Sequence, residues 1–321
     1  MAINIVPIQF VVTLIDLAEE AGVNKKKLLR GTRVGSYGLS KIDSYVDSTD
    51  FFTLVNRSLL LTNDSALGLK LGQRLNISSL SFLGQVLINT RTLEDFTSTL
   101  NYIQTFEAIL NPWHGKIVNE HYTLFPGTQE EVKSENFIYE MIFTLITNCL
   151  KTLFYKEELN LEIVLPYKQP EHHKLYNSIF GKNVSFSGSQ AHYSFHKSYL
   201  EKPIPTHNKR LLEAYIKKCF LFQLEFSAES ISQRTLTILR KVEGFVPNSK
   251  QMSSLLRLSE RTYSRRLSQE NTNYQTLLDT VRMETATDLL NNSNLPISSI
   301  AYQLGFQNSS NFRKAYRRWT Q

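Results

Sequence analysis

Two short segments near the C-terminus are rich in side chains that could bind a polyanion. The polar and cationic residues of the first segment are Arg261, Ser264, Arg265 and Arg266. Those of the second segment are Ser309, Ser310, Arg313, Lys314 and Arg317. Guanidinium and ammonium groups neutralise phosphates, and Arg, Lys and Ser also bind base edges in a DNA groove. The residue types therefore predict contacts with nucleic acid.

The charge of the chain is concentrated in the same region. From Ser227 to the C-terminus there are 13 Lys and Arg against 7 Asp and Glu, a net charge of +6 in 95 residues. The preceding 226 residues hold 23 against 22, a net charge of +1. A localised positive excess is typical of a polyanion-binding module. A solvated basic face without a partner explains the charge equally well, so the spacing of the apolar residues has to decide.

The last segment has the apolar pattern of a helix-turn-helix. One buried helix face is predicted by the spacing of Ile297, Ile300, Ala301 and Leu304. Gly305 follows, at a point where the chain must turn sharply into a left-handed conformation. The same i, i+3, i+4, i+7 spacing recurs in Phe312, Ala315, Tyr316 and Trp319, and Ser309 or its neighbour is expected to cap this second helix. The outer face of that helix is polar and basic, as the major groove requires.

A similar unit lies about fifty residues earlier. Its first helix is predicted from Met252, Leu255, Leu256 and Leu258. Ser259 has the chemistry of an N-cap for the second helix, which Tyr263 and Leu267 anchor. A linking helix from about Tyr274 to Leu290 would span roughly 25 Å. That length could hold two recognition helices about one DNA turn (~34 Å) apart.

These residues resemble a known family. Ile300–Phe306 and Phe312–Trp319 are similar to the signature of AraC/XylS-type regulators, and the resemblance extends over about residues 230–321. It implies a sequence-specific DNA-binding regulator. By the family's docking mode the base-facing residues are Arg261, Ser264, Arg265, Ser309, Ser310 and Lys314. Arg313 and Arg317 are assigned to phosphates. Arg257 stands where the first turn often has glycine, so a different type of turn is expected there.

The rest of the chain predicts a mixed domain. Helical and strand-like patterns alternate over residues 1–205, followed by a connecting helix at 206–226 and an all-α domain at 227–321. The predicted fold is thus an α+β N-terminal domain followed by an all-α C-terminal domain with two helix-turn-helix units joined by a linking helix. Ala66–Gly72 and Phe180–Phe186 resemble one subgroup of the family, whose N-terminal domain is termed arabinose-binding-like. The resemblance implies effector sensing or dimerisation, with a mostly apolar pocket expected for a sensor.

Other function classes find less support. The spacing of His172, His173, His192 and His196 fits no zinc pattern, so we predict surface histidines and no metal. No catalytic constellation or cofactor motif is present, which predicts a non-enzyme. Without a long apolar run or a leader in Met1–Phe10, we expect a cytoplasmic protein with no membrane contact. The expected partners are promoter DNA, RNA polymerase, a small-molecule effector and a second copy of the chain. The competing class is an enzyme or small-molecule-binding protein whose basic tail binds nucleic acid nonspecifically.

Overall fold

The structure is a computed structural model. The chain divides into two compact units between residues 220 and 221. It describes residues 5–36, 44–103, 113–126, 135–155, 157–226, 230–241, 246–256, 258–293 and 295–320. Side chains are described for these ranges except at 101–103 and 223–226. None of the described helices is long and apolar enough to cross a membrane.

The first unit is built from helices and two sheets. Its helices are α1 Ile8–Glu20, α2 Lys25–Leu29, α3 Ser48–Thr62, α4 Leu67–Arg74, α5 Ser81–Asn89, α6 Leu93–Ile103, α7 Glu135–Leu153, α8 His173–Phe180, α9 Ser198–Glu201 and α10 Lys209–Phe226. Short 3-10 helices lie at Val34–Ser36 and Ile77–Leu80. Helix α10 continues across the division between the units. The predicted α+β class is confirmed for this part of the chain.

A five-stranded sheet forms the centre of the first unit. Its strands are β3 His114–Val118, β4 His121–Phe125, β5 Leu161–Val164, β6 Val184–Ser185 and β7 His192–His196, in the order β3-β4-β7-β5-β6. Only the pairing of β5 with β6 is parallel. One face of the sheet packs against α7, where the Phe143 ring lies 5.4 Å from the Tyr193 ring and the Thr147 hydroxyl lies 3.1 Å from the Tyr193 hydroxyl. The core of the unit is therefore shared between sheet and helix.

The glycines of α4 let this helix pack closely on α7. A Cβ atom at Gly72 would lie 2.5 Å from the Thr144 Cβ, and one at Gly68 would lie 2.6 Å from a carboxylate oxygen of Glu140. Glu140 is buried, accepts a hydrogen bond from the Tyr176 hydroxyl and lies 3.3 Å from His172 Nε2. The prediction of a surface histidine is wrong for His172, because its ring packs on Tyr176 and its side chain is only 14% exposed.

Two features of the first unit differ from the sequence pattern. The pattern predicts one helix over Ser81–Leu110, but the chain breaks at Thr90, whose hydroxyl donates to the Leu87 carbonyl. The described part is thus two helices, and residues 104–110 lie outside the described residues. A two-stranded sheet of β1 Ile5–Pro7 and β2 Tyr45–Asp47 is not predicted at all. Strands of three residues are too short to show a period.

The second unit is helical throughout its described part. Its helices are α11 Ile231–Lys241, α12 Ser249–Leu255, α13 Glu260–Gln269, α14 Tyr274–Asn292, α15 Ile297–Gln303 and α16 Ser309–Thr320. The predicted all-α class with two helix-turn-helix units and a linking helix is confirmed. Helix α14 is the linking helix, and it packs against α11, α15 and α16. At 1.5 Å per residue its 19 residues span about 28 Å.

Candidate nucleic-acid interface

The turn between α15 and α16 has the geometry that the sequence predicts. Gly305 has φ +78°, and the helix ends in two hydrogen bonds, Phe306 N–H to the Ala301 carbonyl at 2.9 Å and Gly305 N–H to the Tyr302 carbonyl at 3.0 Å. This pair of bonds is the Schellman motif. Phe306 then folds back onto the small core of the unit, with its ring 5.7 Å from the Phe312 ring. The turn therefore fixes the angle at which α16 leaves α15.

Helix α16 separates a buried face from a polar face. Phe312 and Ala315 are buried, and Tyr316 and Trp319 pack at the edge of the same core. The cap is the neighbour of Ser309, because Asn308 Oδ1 accepts from the Asn311 N–H at 2.9 Å. The exposed residues of α16 are Ser310, Asn311, Arg313, Lys314, Arg317, Arg318 and Thr320, and Ser309 is half-buried. The sequence-predicted site residues of this helix thus lie on one amphipathic element.

The first helix-turn-helix, formed by α12 and α13, repeats this plan. Ser259 caps α13 as predicted, since its Oγ accepts from the Thr262 N–H at 3.2 Å. Tyr263 and Leu267 are fully buried and anchor α13, whereas Leu258 lies in the turn and not in the first helix. The Leu258 N–H donates to the Ser253 carbonyl at 2.9 Å, which corresponds to the bond between Phe306 and Ala301. Both turns therefore share this closing bond, and Arg257 itself lies outside the described residues.

All four predicted site residues of α13 are exposed. They are Arg261, Ser264, Arg265 and Arg266. Among the described residues, neither the three arginines here nor Arg313, Lys314 and Arg317 on α16 form an ion pair. By contrast, Arg318 pairs with Asp279 on α14 at 2.8 Å, and Arg240 on α11 pairs with Glu284 on α14. Arg318 and Arg240 are thus held by acidic partners on α14, and the cations on the two outer faces are left for an external anion.

Acidic residues of this unit serve the framework. The two carboxylate oxygens of Glu270 accept from the N–H groups of Ile231 and Ser232 at 2.9 and 2.8 Å, and so cap the start of α11. Burial opposes the ionisation of Glu270, but the hydrogen bonds from Ser232, Ile231 and Ser230 outweigh it and lower the pKa of the carboxyl. The bidentate hydrogen bond from Arg240 lowers the pKa of Glu284 in the same way. Glu270 and Glu284 therefore stabilise the packing of the helices in this unit.

One residue of the outer face, Asn311, is not among the predicted site residues. Asn311 is exposed in the first turn of α16, beside Ser310, and its side-chain amide could bind a base edge. The pattern alone places it on the outer face, but it carries no charge and therefore does not stand out. The structure brings the predicted residues together in two groups, one on α13 and one on α16, each opposite a buried face.

Comparison with known proteins agrees with this geometry. The family described as the arabinose-binding domain of AraC transcription regulator, N-term, matches residues 22–204, and a helix-turn-helix domain family matches residues 252–321. The chain belongs to the AraC family of transcription regulators. The resemblance inferred from Ile300–Phe306 and from Ala66–Gly72 is thereby confirmed. The protein is a DNA-binding transcription regulator.

Individual relatives are regulators as well. The regulator is 28% identical over 327 residues to the ornithine utilization regulator of Pseudomonas aeruginosa, covering 99% of this chain and 94% of the relative. It is 26% identical over 268 residues to the transcriptional regulator VqsM of the same organism, covering 79% of this chain and 80% of VqsM. The crystal structure of the regulator CdpR, also from Pseudomonas aeruginosa, matches with a TM-score of 0.42 and 23% identity over 85% of this chain and 93% of that one.

Proposed function

We propose that the regulator reads two separate segments of a promoter, one through α13 and one through α16. The observation that carries this proposal is the division of each helix into a buried face and an exposed face with unpaired cations and hydroxyls. A helix of this kind can enter the major groove with its polar face while its apolar face stays on the supporting helix. Helix α14, which links the two helix-turn-helix units, would hold α13 and α16 at a fixed spacing.

The exposed residues divide into two roles. On α13, we assign base contacts to Arg261, Ser264 and Arg265. On α16, we assign them to Ser309, Ser310, Lys314 and Asn311. We assign Arg266, Arg313 and Arg317 to phosphates. Arginine and lysine pair with guanine, asparagine with adenine, and serine with several bases. Phosphate contacts fix the register on the duplex, and base contacts carry the sequence preference.

The remainder of the chain would control these contacts. We assign residues 1–205 to effector sensing or dimerisation, residues 206–226 to a connecting helix and residues 227–321 to DNA binding. The partners would be promoter DNA, RNA polymerase, a small-molecule effector and a second copy of the chain, in the cytoplasm and without membrane contact. The names of the matched family and of the ornithine utilization regulator make arabinose and ornithine the first effectors to test. The matched relatives are transcription regulators, which supports a binding protein and not an enzyme.

Selection of duplexes from a randomised pool with the full chain tests this function. We expect two sequence motifs, and binding at least about 1,000-fold tighter than to random duplex at moderate salt. Arg265→Ala should relax one motif and Lys314→Ala the other, each at a cost of about 1–3 kcal/mol. Lys174→Ala, which removes an exposed lysine from α8, serves as the matched control. Equal affinity for selected and random duplexes would favour the competing class, a protein with a nonspecific basic tail.

A further inference from the structure

A cavity of about 450 Å³ lies in the first unit, between the five-stranded sheet and the helices α5, α6 and α7. Its size falls within the range of about 300–1,000 Å³ that small-molecule sites occupy. Apolar side chains make up most of the described lining, including Leu83, Phe96, Leu100 and Ile146. Phe96, Leu100 and Ile146 are only half-buried, so apolar surface is available to a ligand. The cavity therefore has the size and the lining of a site for an apolar ligand.

The described lining contains no Asp, Glu, Lys or Arg. Its titratable residues are His114, Tyr122 and Cys149. The His114 ring stacks on Phe125, its partner in the strand register, 5.6 Å away. Burial raises the pKa of the Cys149 thiol to about 12, so the thiol stays neutral near pH 7. A charged ligand in this cavity would find no Asp, Glu, Lys or Arg among the described lining residues.

One polar group stands out in the lining. The Tyr122 hydroxyl has no hydrogen-bond partner among the described residues, and burial raises the pKa of this phenol. Its position depends on Gly115 in the neighbouring strand, because a Cβ atom there would lie 2.0 Å from the phenolic oxygen. The glycine thus leaves room for the phenol to lie across β3. A neutral hydroxyl at the edge of an apolar cavity can donate to or accept from one polar group of a ligand.

We propose that this cavity binds an uncharged, mainly apolar molecule with a single hydrogen-bonding group, such as an alcohol, ester or amide, which contacts the Tyr122 hydroxyl. The proposal deepens the proposed function, because it names the chemical class of the effector. An apolar chain gains by burial along the lining. Among the described lining residues, an ammonium or carboxylate group would lose its hydration without gaining a partner of opposite charge, and a sugar would leave most of its hydroxyls unpaired. Basic amino acids and monosaccharides are therefore poor ligands for this site.

A series of straight-chain 1-alkanols tests the chemical class on the full chain. The reporter is the fluorescence of Trp113, which lines the cavity, in a Trp319→Phe background that removes the second tryptophan. We expect saturable binding, with Kd falling about fourfold for each added methylene until the cavity is filled. Arabinose, ornithine and octanoate at pH 7.5 should bind at least tenfold more weakly than 1-octanol. No saturable alkanol binding, or tighter binding of any of these three, would overturn the proposal.

Variants locate the binding at the cavity. Ile146→Trp, whose binding is measured by titration calorimetry because the change adds a tryptophan, occupies part of the space and should weaken alkanol binding at least tenfold, whereas Tyr122→Phe removes only the hydroxyl and should weaken it about two- to twelvefold with the same dependence on chain length. Leu60→Ala, which removes an apolar side chain that is 80% exposed on α3, should change nothing. Wild-type affinity in Ile146→Trp would contradict this location. If alkanols bind but leave DNA affinity unchanged, the site stands and effector control fails; if they do not bind while sequence-specific DNA binding persists, only the ligand class fails.

Discussion

At the residue scale, the clearest case is Gly305. Its φ of +78° lies in the left-handed region, and a Cβ atom would also lie 3.2 Å from Arg282 Nη2. We therefore expect Gly305→Ala to lower the stability of the second unit by about 1 kcal/mol or more. Gly305→Asn should cost less, because asparagine tolerates this conformation better. The measurement is urea unfolding followed by Trp319 fluorescence in a Trp113→Phe background; equal stability of the alanine and glycine proteins would contradict the argument.

Arg317 allows phosphate contact to be separated from base contact. It is exposed in the last turn of α16 and forms no ion pair among the described residues. Loss of one phosphate contact should reduce the slope of log K against log salt by about 0.9 and weaken all duplexes alike. We therefore expect Arg317→Ala to lower affinity equally for selected and random duplexes, measured from 50 to 200 mM salt. A loss confined to the selected duplex would assign Arg317 to a base.

At the element scale, the first turn of α11 depends on the charge of Glu270. The pKa of this carboxyl lies below its ordinary value of 4.5, so its stabilisation is complete above pH 4.5 and is lost as pH falls through the lowered pKa. Glu270→Gln should reduce the protection of α11 amides from hydrogen exchange by about 1 kcal/mol at pH 7. The difference from wild type should decrease as pH falls below 4.5 and through the lowered pKa. Glu171→Gln, an exposed glutamate, is the control; a difference that does not decrease as the pH is lowered would exclude a charge effect.

The elements also show what a sequence can and cannot predict. The helices α15 and α16 can be predicted from spacing alone, because each has one apolar stripe and Gly305 marks the turn between them. The break at Thr90 is different, since a threonine hydroxyl bonded to the Leu87 carbonyl leaves no mark on the apolar period. The cavity is also invisible in the sequence, because Tyr122 and Ile146 come together only through the packing of α7 on the sheet. Local periodicity is readable, and long-range assembly is not.

At the scale of the whole molecule, the cavity is connected to the helix that leads into the DNA-binding unit. Helices α5 and α6 line the cavity, and the turn between them is bonded to the segment before α10. The Asn89 carbonyl accepts from the Asn208 N–H at 3.2 Å and contacts His207 Nδ1 at 2.7 Å, and the Arg91 carbonyl accepts from the Ile204 N–H at 2.8 Å. A ligand that separates α5 from α6 would therefore move the start of α10. Ligand and DNA affinity can be coupled only if the two states differ at such a contact.

His207 is a side chain of this contact that can be removed without altering the described lining of the cavity. Coupled sites typically change each other's affinity by about 5- to 150-fold. We expect 1-octanol to shift the DNA affinity of the full chain by a factor in this range, and His207→Ala to reduce the shift while the Kd for 1-octanol stays within about twofold. His173→Ala is the matched control, because His173 Nδ1 makes a similar contact with the Pro170 carbonyl at 3.2 Å, within the turn before α8. An undiminished shift in His207→Ala would show that the His207 contact does not carry the coupling between the cavity and DNA binding.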